Sequence, residues 1–289
     1  MAKTPKDVAA SVRQRLLNLS REEGRVFDVI LVTYGLERLI YRLSVSDHRN
    51  SFVLKGGMLV TIWTEDENRV TRDADFLGHG ESTEDHLKTV FAEVMNMNIE
   101  IDDGLVFDAA ALTAAPIRED QEYGGVRLKT TASIGTTRIP ITIDIGFGDA
   151  IAEPGYTIDY PSLLDMPSAN IRAYPPATVI AEKFQAIVDL GLANGRMKDY
   201  YDLWAIPNTK AIEPVELDAA IRATFERRGT DIPGEPPVGL SPEFVNDDQK
   251  TAQWTAYAAS IDLDALSLDA VVETIWSYIG PACKRLNVE

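Results

Sequence analysis

Cysteine and histidine are scarce in this sequence. One cysteine, Cys283, and three histidines occur among 289 residues. A single cysteine cannot form an internal disulfide, and so few Cys and His residues make a zinc site improbable. Any metal ion is therefore expected to be bound by oxygen ligands.

Positive charge is also in short supply. The formal net charge is −17, which argues against a protein that coats nucleic acid through bulk electrostatics. The charge is uneven, because residues 1–50 carry +3 and the remainder carries −20. A local basic patch can still bind RNA. The net negative charge therefore disfavours RNA binding but does not exclude it.

The sequence has no long apolar run. The run around residues 27–32 is interrupted by Asp28 and is far shorter than the roughly 20 residues that a membrane span needs. Lys3, Lys6 and Asp7 precede any apolar segment, which is not the pattern of a secretory signal. These features predict a cytoplasmic protein without a membrane partner.

The apolar content, 45% hydrophobic residues, is typical of a folded protein with a sizeable core. Hydrophobic spacing predicts helices in an N-terminal lead-in, a central region of mixed strands and helices, and a helical C-terminal part. The predicted helices are 7–19, 23–44, 58–63, 82–95, 176–190, 197–206, 213–228, 249–260 and 267–286. The predicted strands are 51–54, 71–77, 105–107, 123–134 and 138–145, the last two forming a hairpin at Gly135. The fold class is therefore α+β, with domains at 1–170 and 171–289.

Three aspartates carry the strongest chemical signal. Asp73 and Asp75 alternate along a predicted strand and therefore project from one face. Two like charges are costly to bury together unless a cation lies between them, and Mg²⁺ binds carboxylates together with substrate phosphates. Asp144, the only acid in residues 139–147, supplies the third carboxylate of a two-metal site for phosphoryl displacement. The alternatives are a solvated strand face for the pair and a solvent-facing strand end for Asp144.

Two further groups could bind phosphate. Gly56 and Gly57 follow a strand and precede a helix, where backbone N–H groups can approach a phosphate, although such a turn is often purely structural. Lys183 lies in an otherwise apolar helix, with Asp199 and Asp202 one helical turn apart on the next helix. The alternatives for this second group are an exposed helix lysine and a surface ion-pair cluster.

These motifs resemble those of nucleotidyltransferases, in which a Gly-Gly or Gly-Ser turn precedes Asp-x-Asp and a third carboxylate follows. More closely, residues 35–205 resemble the AbiEii family of toxins. The segments that carry the resemblance are Phe52-Val-Leu-Lys-Gly-Gly-Met-Leu, Thr71-Arg-Asp-Ala-Asp-Phe, Ile143-Asp-Ile-Gly-Phe-Gly-Asp149, Ala181-Glu-Lys-Phe-Gln-Ala186 and Arg196-Met-Lys-Asp-Tyr-Tyr-Asp-Leu203. The resemblance implies a DNA polymerase β-like mixed-sheet domain and a helical domain that contributes to the active-site cleft.

The resemblance also implies individual roles. The expected Mg²⁺ ligands are Asp73, Asp75 and Asp144. The expected catalytic residues are Asp73, Asp75, Lys183 and Asp202. The expected nucleotide-binding residues are Lys55, Gly56, Gly57, Arg72 and Lys183. The candidate acceptor-binding residues are Arg196, Lys198 and Asp199, and the other local bases are Arg69, Arg127 and Lys129.

The implied function is Mg²⁺-dependent transfer of a nucleotide from an NTP by a toxin of a toxin–antitoxin or phage-defence system, with a cognate antitoxin as partner. Related MenT toxins add nucleotides to the 3′ end of tRNA, which makes tRNA the favoured acceptor. Nucleotidylation of a protein or small molecule would suit the acidic surface better, and an NTP-binding regulatory module is a further alternative. No motif is legible after about residue 207. Trp254, Tyr257, Trp276 and Tyr278 are expected in the core rather than in a stacking platform.

Overall fold

The computed structural model describes residues 7–64, 66, 68–117, 124–151 and 155–288. The chain divides into two compact units. Unit 1 contains the residues up to Ile62 together with Val70–Gly148 and Gly155–Ala173. Unit 2 contains Trp63–Arg69, Asp149–Pro154 and the chain from Tyr174 onward. The segment around Arg69 therefore leaves unit 1 and returns to it just before Asp73.

The helices of unit 1 begin at recognisable caps. The Asp7 side chain accepts a hydrogen bond from the Ala10 amide at the start of α1, and Thr83 accepts one from the His86 amide at the start of α4. The helices are α1 (Val8–Glu22), α2 (Phe27–Val45), α3 (Gly57–Thr64), whose last two residues belong to unit 2, and α4 (Glu84–Met95).

A mixed sheet forms the centre of unit 1. Among the described residues, its strands lie in the order β1-β2-β6-β5-β3, and β4 also pairs with β5. A separate pair is formed by β7 and β8. The strands are β1 (Phe52–Lys55), β2 (Ala74–Gly78), β3 (Val106–Phe107), β4 (Thr113–Ile117), β5 (Gly125–Ile134), β6 (Thr137–Phe147), β7 (Thr157–Tyr160) and β8 (Ala169–Arg172). The β2–β6 pair is parallel, whereas every other pairing in this sheet is antiparallel.

Helix α2 packs closely on β6. A Cβ at Gly35 of α2 would lie 2.9 Å from the Ile141 side chain and 3.3 Å from that of Ile139. The absence of a side chain at Gly35 lets the helix approach the strand, and the isoleucines that alternate along β6 are buried. Because side chains alternate across a strand, Asp144 projects from the opposite face.

Unit 2 is helical. Its helices are α5 (Pro176–Leu190), α6 (Met197–Thr209), α7 (Pro214–Arg227), α8 (Pro242–Val245), α9 (Asp248–Ala259) and α10 (Leu268–Leu286). Helix α5 contacts α6 and α7, and α10 contacts α6, α7 and α9. Trp254 of α9 and Cys283 of α10 are buried.

The α+β class, the mixed sheet and the helices at both ends of the chain are confirmed. The hairpin at Gly135 is also confirmed, with φ +58° at the glycine. Residue 123, where the sequence predicts the start of the first hairpin strand, lies outside the described residues. Strands β4, β7 and β8 were not predicted, and the division of function between residues 1–170 and 171–289 stays a prediction. Within the described part of the chain, none of the helices has the length and apolar composition needed to cross a bilayer.

Candidate active site

Parallel pairing of β2 with β6 brings together the three predicted carboxylates. Asp75 and Asp144 are Cα partners on these strands, and Asp73 lies one residue before β2. Each residue offers a carboxylate oxygen, and the three oxygens lie within 4.8 Å of one another. We call Asp73, Asp75 and Asp144 the acidic cluster. Its all-oxygen donor set and its spacing fit a divalent cation such as Mg²⁺.

The predicted strand 71–77 is wrong at its start. The strand begins at Ala74, and Asp73 lies in a bend before it. The Thr71 hydroxyl lies 2.9 Å from Asp73 Oδ1 and donates a hydrogen bond to it. This bend, rather than strand alternation, directs Asp73 toward Asp75.

Arg127 supplies positive charge to the acidic cluster. It is the Cα partner of Asp144 across the hairpin. Its Nε and Nη2 donate to Asp144 Oδ1 and Oδ2 at 2.7 and 2.5 Å. Hydrogen bonding to Asp144 raises the pKa of Arg127, and the charges of Asp73 and Asp75 add to this effect. The sequence identified Arg127 only as a local base, although the two-residue hairpin turn places it opposite Asp144.

The glycine turn lies directly against the cluster. Gly56 has φ +71°, and a Cβ there would lie 2.1 Å from Asp75 Oδ2. Only glycine allows both this backbone conformation and this approach. Gly57 begins α3, whose first amides lack partners within the helix and can face an anion. Lys55 is the Cα partner of Asp75, and Arg72 is exposed.

Unit 2 contains the second predicted group, Lys183, Asp199 and Asp202, and the structure adds Arg69 to it. We call these four residues the charged network. Lys183 of α5 forms an ion pair with Asp199 and another with Asp202 Oδ2 at 2.9 Å. Arg69 Nε and Nη2 donate to Asp202 Oδ1 and Oδ2 at 2.9 and 2.6 Å. Asp202 thus pairs with two cations, and Asp199 supplies the second negative charge. Arg69, which the sequence identified among the local bases, is itself buried.

The charged network favours the ionised forms of Lys183 and Asp202. Burial alone would raise the pKa of Asp202, but Lys183 and Arg69 outweigh burial and the pKa is lowered. Burial would likewise lower the pKa of Lys183, whereas Asp199 and Asp202 raise it. The side chain of Asp202 exposes no surface, so it positions the two cations and does not itself face solvent.

Arg196 and Lys198 lie where α6 begins, and both are exposed. Asp199, which the sequence grouped with them, is directed to Lys183. The predicted residues are therefore divided between the units. Unit 1 holds Lys55, Gly56, Gly57, Arg72 and the acidic cluster, whereas unit 2 holds Lys183, Arg196, Lys198, Asp199 and Asp202.

An α+β fold with an acidic cluster next to a glycine turn defines the class of protein as a phosphoryl- or nucleotidyl-transferring enzyme. The sequence model of the family described as "Nucleotidyl transferase AbiEii toxin, Type IV TA system" matches residues 38–274. The chain therefore belongs to the AbiEii family of nucleotidyl transferase toxins. It is a nucleotidyltransferase toxin, and membership of a toxin–antitoxin family implies an NTP substrate and a cognate antitoxin.

Two solved structures are similar to this chain. A candidate nucleotidyltransferase from H. pylori is 16% identical, with a TM-score of 0.46 over 88% of this chain and 93% of the other. JHP933 from Helicobacter pylori is 14% identical, with a TM-score of 0.44 over 89% of this chain and 94% of the other. No curated protein matches the sequence.

Proposed function

We propose that the chain transfers a nucleoside monophosphate from an NTP to the 3′ end of tRNA, with Mg²⁺ bound by Asp73, Asp75 and Asp144. The observation that carries this proposal is the convergence of three carboxylates within 4.8 Å at the Gly56 turn. Mg²⁺ held there by the three carboxylates would supply positive charge for the triphosphate and would lower the pKa of the acceptor hydroxyl.

The residues around the cluster then have defined tasks. The amides of Gly56 and Gly57 bind phosphate oxygens. Lys183, which the charged network keeps cationic, offsets the negative charge of the departing pyrophosphate. Lys55 and Arg72 complete the proposed nucleotide contacts. The acceptor hydroxyl loses its proton and its oxygen bonds to the α-phosphorus. The bond from that phosphorus to the β-phosphate oxygen breaks, and pyrophosphate leaves with the electron pair.

Asp202 is proposed as a positioning residue for this reaction. Its carboxylate binds Lys183 and Arg69 and exposes no surface. Catalytic contact with substrate therefore falls to Asp73, Asp75 and Lys183, while Asp202 fixes the ammonium group of Lys183.

The tRNA acceptor is proposed from the family resemblance, and local charge supports an RNA acceptor. Arg196 and Lys198 are exposed at the start of α6 in a protein whose net charge is −17. A few phosphate contacts at these residues would give RNA binding that weakens with salt, whereas binding of a small-molecule acceptor would change much less. Toxicity and phage defence would follow from modification of tRNA until the cognate antitoxin intervenes.

The test is transfer of label. Wild type is incubated with Mg²⁺, total tRNA and each of the four α-labelled NTPs in turn, and RNA is separated from protein on a gel. Label should enter the tRNA band with at least one NTP. Asp73→Asn should reduce it by about 100-fold or more because the metal-binding charge is lost.

The matched control is Asp47→Asn, which removes one exposed carboxylate of unit 1 outside the site. It should transfer label as wild type does. Label on protein would show that the acceptor is a protein and not RNA. NTP binding without pyrophosphate release would support a regulatory module. Full activity of Asp73→Asn would show that the site is wrongly assigned.

A further inference from the structure

Unit 2 contains a cleft that the proposed reaction leaves unassigned. It has a volume of about 630 Å³ and is lined by residues 195–199 and by Gln253, Ala256 and Tyr257 of α9. We call it the α9 cleft. Sites for small molecules commonly measure about 300–1,000 Å³. The cleft is therefore large enough for a nucleobase and its sugar.

Polar atoms in and beside the cleft lack partners. Among the described residues, Gln253 Oε1 and Tyr257 Oη are buried and accept or donate no hydrogen bond. Asn194 is fully buried next to the cleft segment. Its Oδ1 accepts from the Arg196 amide at 2.8 Å, while its Nδ2 has no partner within the same residues. An unsatisfied buried polar group is destabilising and rare in native proteins, so these atoms are consistent with a site that a polar ligand completes.

The cleft also offers an aromatic ring in a fixed position. The ring of Tyr257 packs edge-on against Tyr201 at 6.1 Å between centroids and lies 5.9 Å from the ring of Trp254. Trp254 is buried, and its Nε1 donates to the Leu266 carbonyl at 2.7 Å. Tyr257 therefore packs against two aromatic rings and also lines the cleft. A ring held in this way can stack on a planar base at little entropic cost.

Charge at the cleft favours a phosphate. Arg196 and Lys198 line it and are exposed. The one carboxylate among the lining residues, Asp199, forms an ion pair with Lys183. The carboxamide of Gln253 can both donate to and accept from the edge of a base.

We propose that the α9 cleft binds a nucleobase with its phosphate, with Gln253 contacting the base edge, Tyr257 stacking on the base and Arg196 binding the phosphate. The ligand is either the NTP or the 3′-terminal nucleotide of the RNA acceptor, since both present the same chemistry. This inference rests on the proposed function and assigns base selection to unit 2.

Equilibrium binding without turnover tests the inference. One arm measures the Kd of each of the four NTPs with Mg²⁺ by calorimetry. The other measures four short RNAs that differ only in the 3′-terminal nucleotide by fluorescence anisotropy. Wild type should discriminate among the four bases in one arm, which identifies the source of the ligand. Gln253→Leu should reduce that discrimination by about tenfold, because hydrogen bonds to a base edge carry it.

Gln249→Leu is the matched control, because Gln249 is an exposed glutamine of the same helix outside the cleft. It should keep the wild-type ratios. Gln253→Glu, which keeps the size but replaces the NH₂ donor, should change the order of preference and guards against a folding defect in Gln253→Leu.

Failure of this inference is separable from failure of the proposed function. Unchanged ratios in Gln253→Leu and Gln253→Glu, or no discrimination by wild type in either arm, would overturn the cleft assignment even if label transfer succeeds. Loss of discrimination in Gln253→Leu would support it even if wild type transfers no label to RNA.

Discussion

Arg127 and Asp144 form a bidentate ion pair across the hairpin, with N–O distances of 2.7 and 2.5 Å. The arginine thereby occupies both oxygens of a carboxylate that is proposed to bind Mg²⁺. Its side chain remains 42% exposed, so the guanidinium can move away without breaking the core. Arg127 therefore competes with a cation for Asp144 and also offsets the repulsion among three aspartates.

Arg127→Gln is expected to tighten divalent-cation binding. Removing the competing guanidinium leaves the acidic cluster more negative and frees Asp144. A partly exposed ion pair contributes up to about 1 kcal/mol, so the Kd for Mn²⁺ should fall by about fivefold. Calorimetric titration of the metal-free protein measures this directly, without reference to activity.

Arg138→Gln is the control for net charge, because Arg138 is exposed on β6 of the same hairpin. Its Kd for Mn²⁺ should remain near that of wild type. An Arg127→Gln protein that binds Mn²⁺ more weakly would show that the arginine organises the acidic cluster rather than competing for it.

Gly56→Ala is expected to weaken metal binding. The new Cβ would lie 2.1 Å from Asp75 Oδ2, so the carboxylate must move away from Asp73 and Asp144. Displacing a metal ligand typically costs about tenfold or more in affinity. The Kd for Mn²⁺ and the free energy of unfolding should be measured on the same preparation.

Gly24→Ala separates backbone strain from this displacement. Gly24 has φ +68°, close to the +71° of Gly56, but nothing lies within 4 Å of its added Cβ. Both variants should lose about 1 kcal/mol of stability through the positive φ. Only Gly56→Ala should lose metal affinity, and equal affinities in the two variants would contradict the role of the close approach.

The sequence predicts local features of this site better than distant pairings. A two-residue turn at Gly135 sets the hairpin register, and that register places Arg127 opposite Asp144. The bend at Asp73 was not predicted, because alternation alone does not reveal where a strand begins. The sequence nominated Asp144 as the third carboxylate because it is the only acid in residues 139–147. It did not predict the parallel pairing of Asp75 with Asp144, because that pairing joins residues far apart in the chain.

Burial of charge was the main feature that the sequence did not predict. Arg69 and Asp202 are 133 residues apart, and neither position is flanked by a pattern that identifies its partner. Helical periodicity correctly placed Trp254 in the core. It did not distinguish Tyr257, which lines the α9 cleft, because period alone does not show where neighbouring elements leave space.

Cys283 is expected to be unreactive in the native protein. The side chain is fully buried in α10, and burial raises the pKa of its thiol to about 12, so little thiolate forms at pH 8. A chromogenic disulfide reagent should modify no thiol in buffer and one thiol per chain in 6 M guanidinium chloride, the latter serving as the control. Rapid stoichiometric reaction in buffer would mean that α10 opens far more often than its packing predicts.

Asp202→Asn should destabilise the protein at neutral pH. The substitution keeps the side-chain size but leaves Lys183 and Arg69 with one fewer counter-charge, and breaking a buried ion pair costs about 3 kcal/mol. Urea unfolding at pH 7 measures this loss. Asp231→Asn, which removes an exposed carboxylate of unit 2, should be close to wild type.

The same pair of proteins gives a pH test. The pKa of Asp202 is lowered in the folded state, so its contribution to stability is present above the unfolded value of about 3.9 and is lost as pH falls through the folded value. The pKa of Lys183 is raised, so its contribution is lost only in strongly alkaline solution. The stability difference between wild type and Asp202→Asn should therefore be constant from pH 5 to 8 and should shrink below about pH 4. A difference that persists undiminished to pH 2 would mean that the carboxylate stabilises the network through shape and hydrogen bonding rather than through its charge.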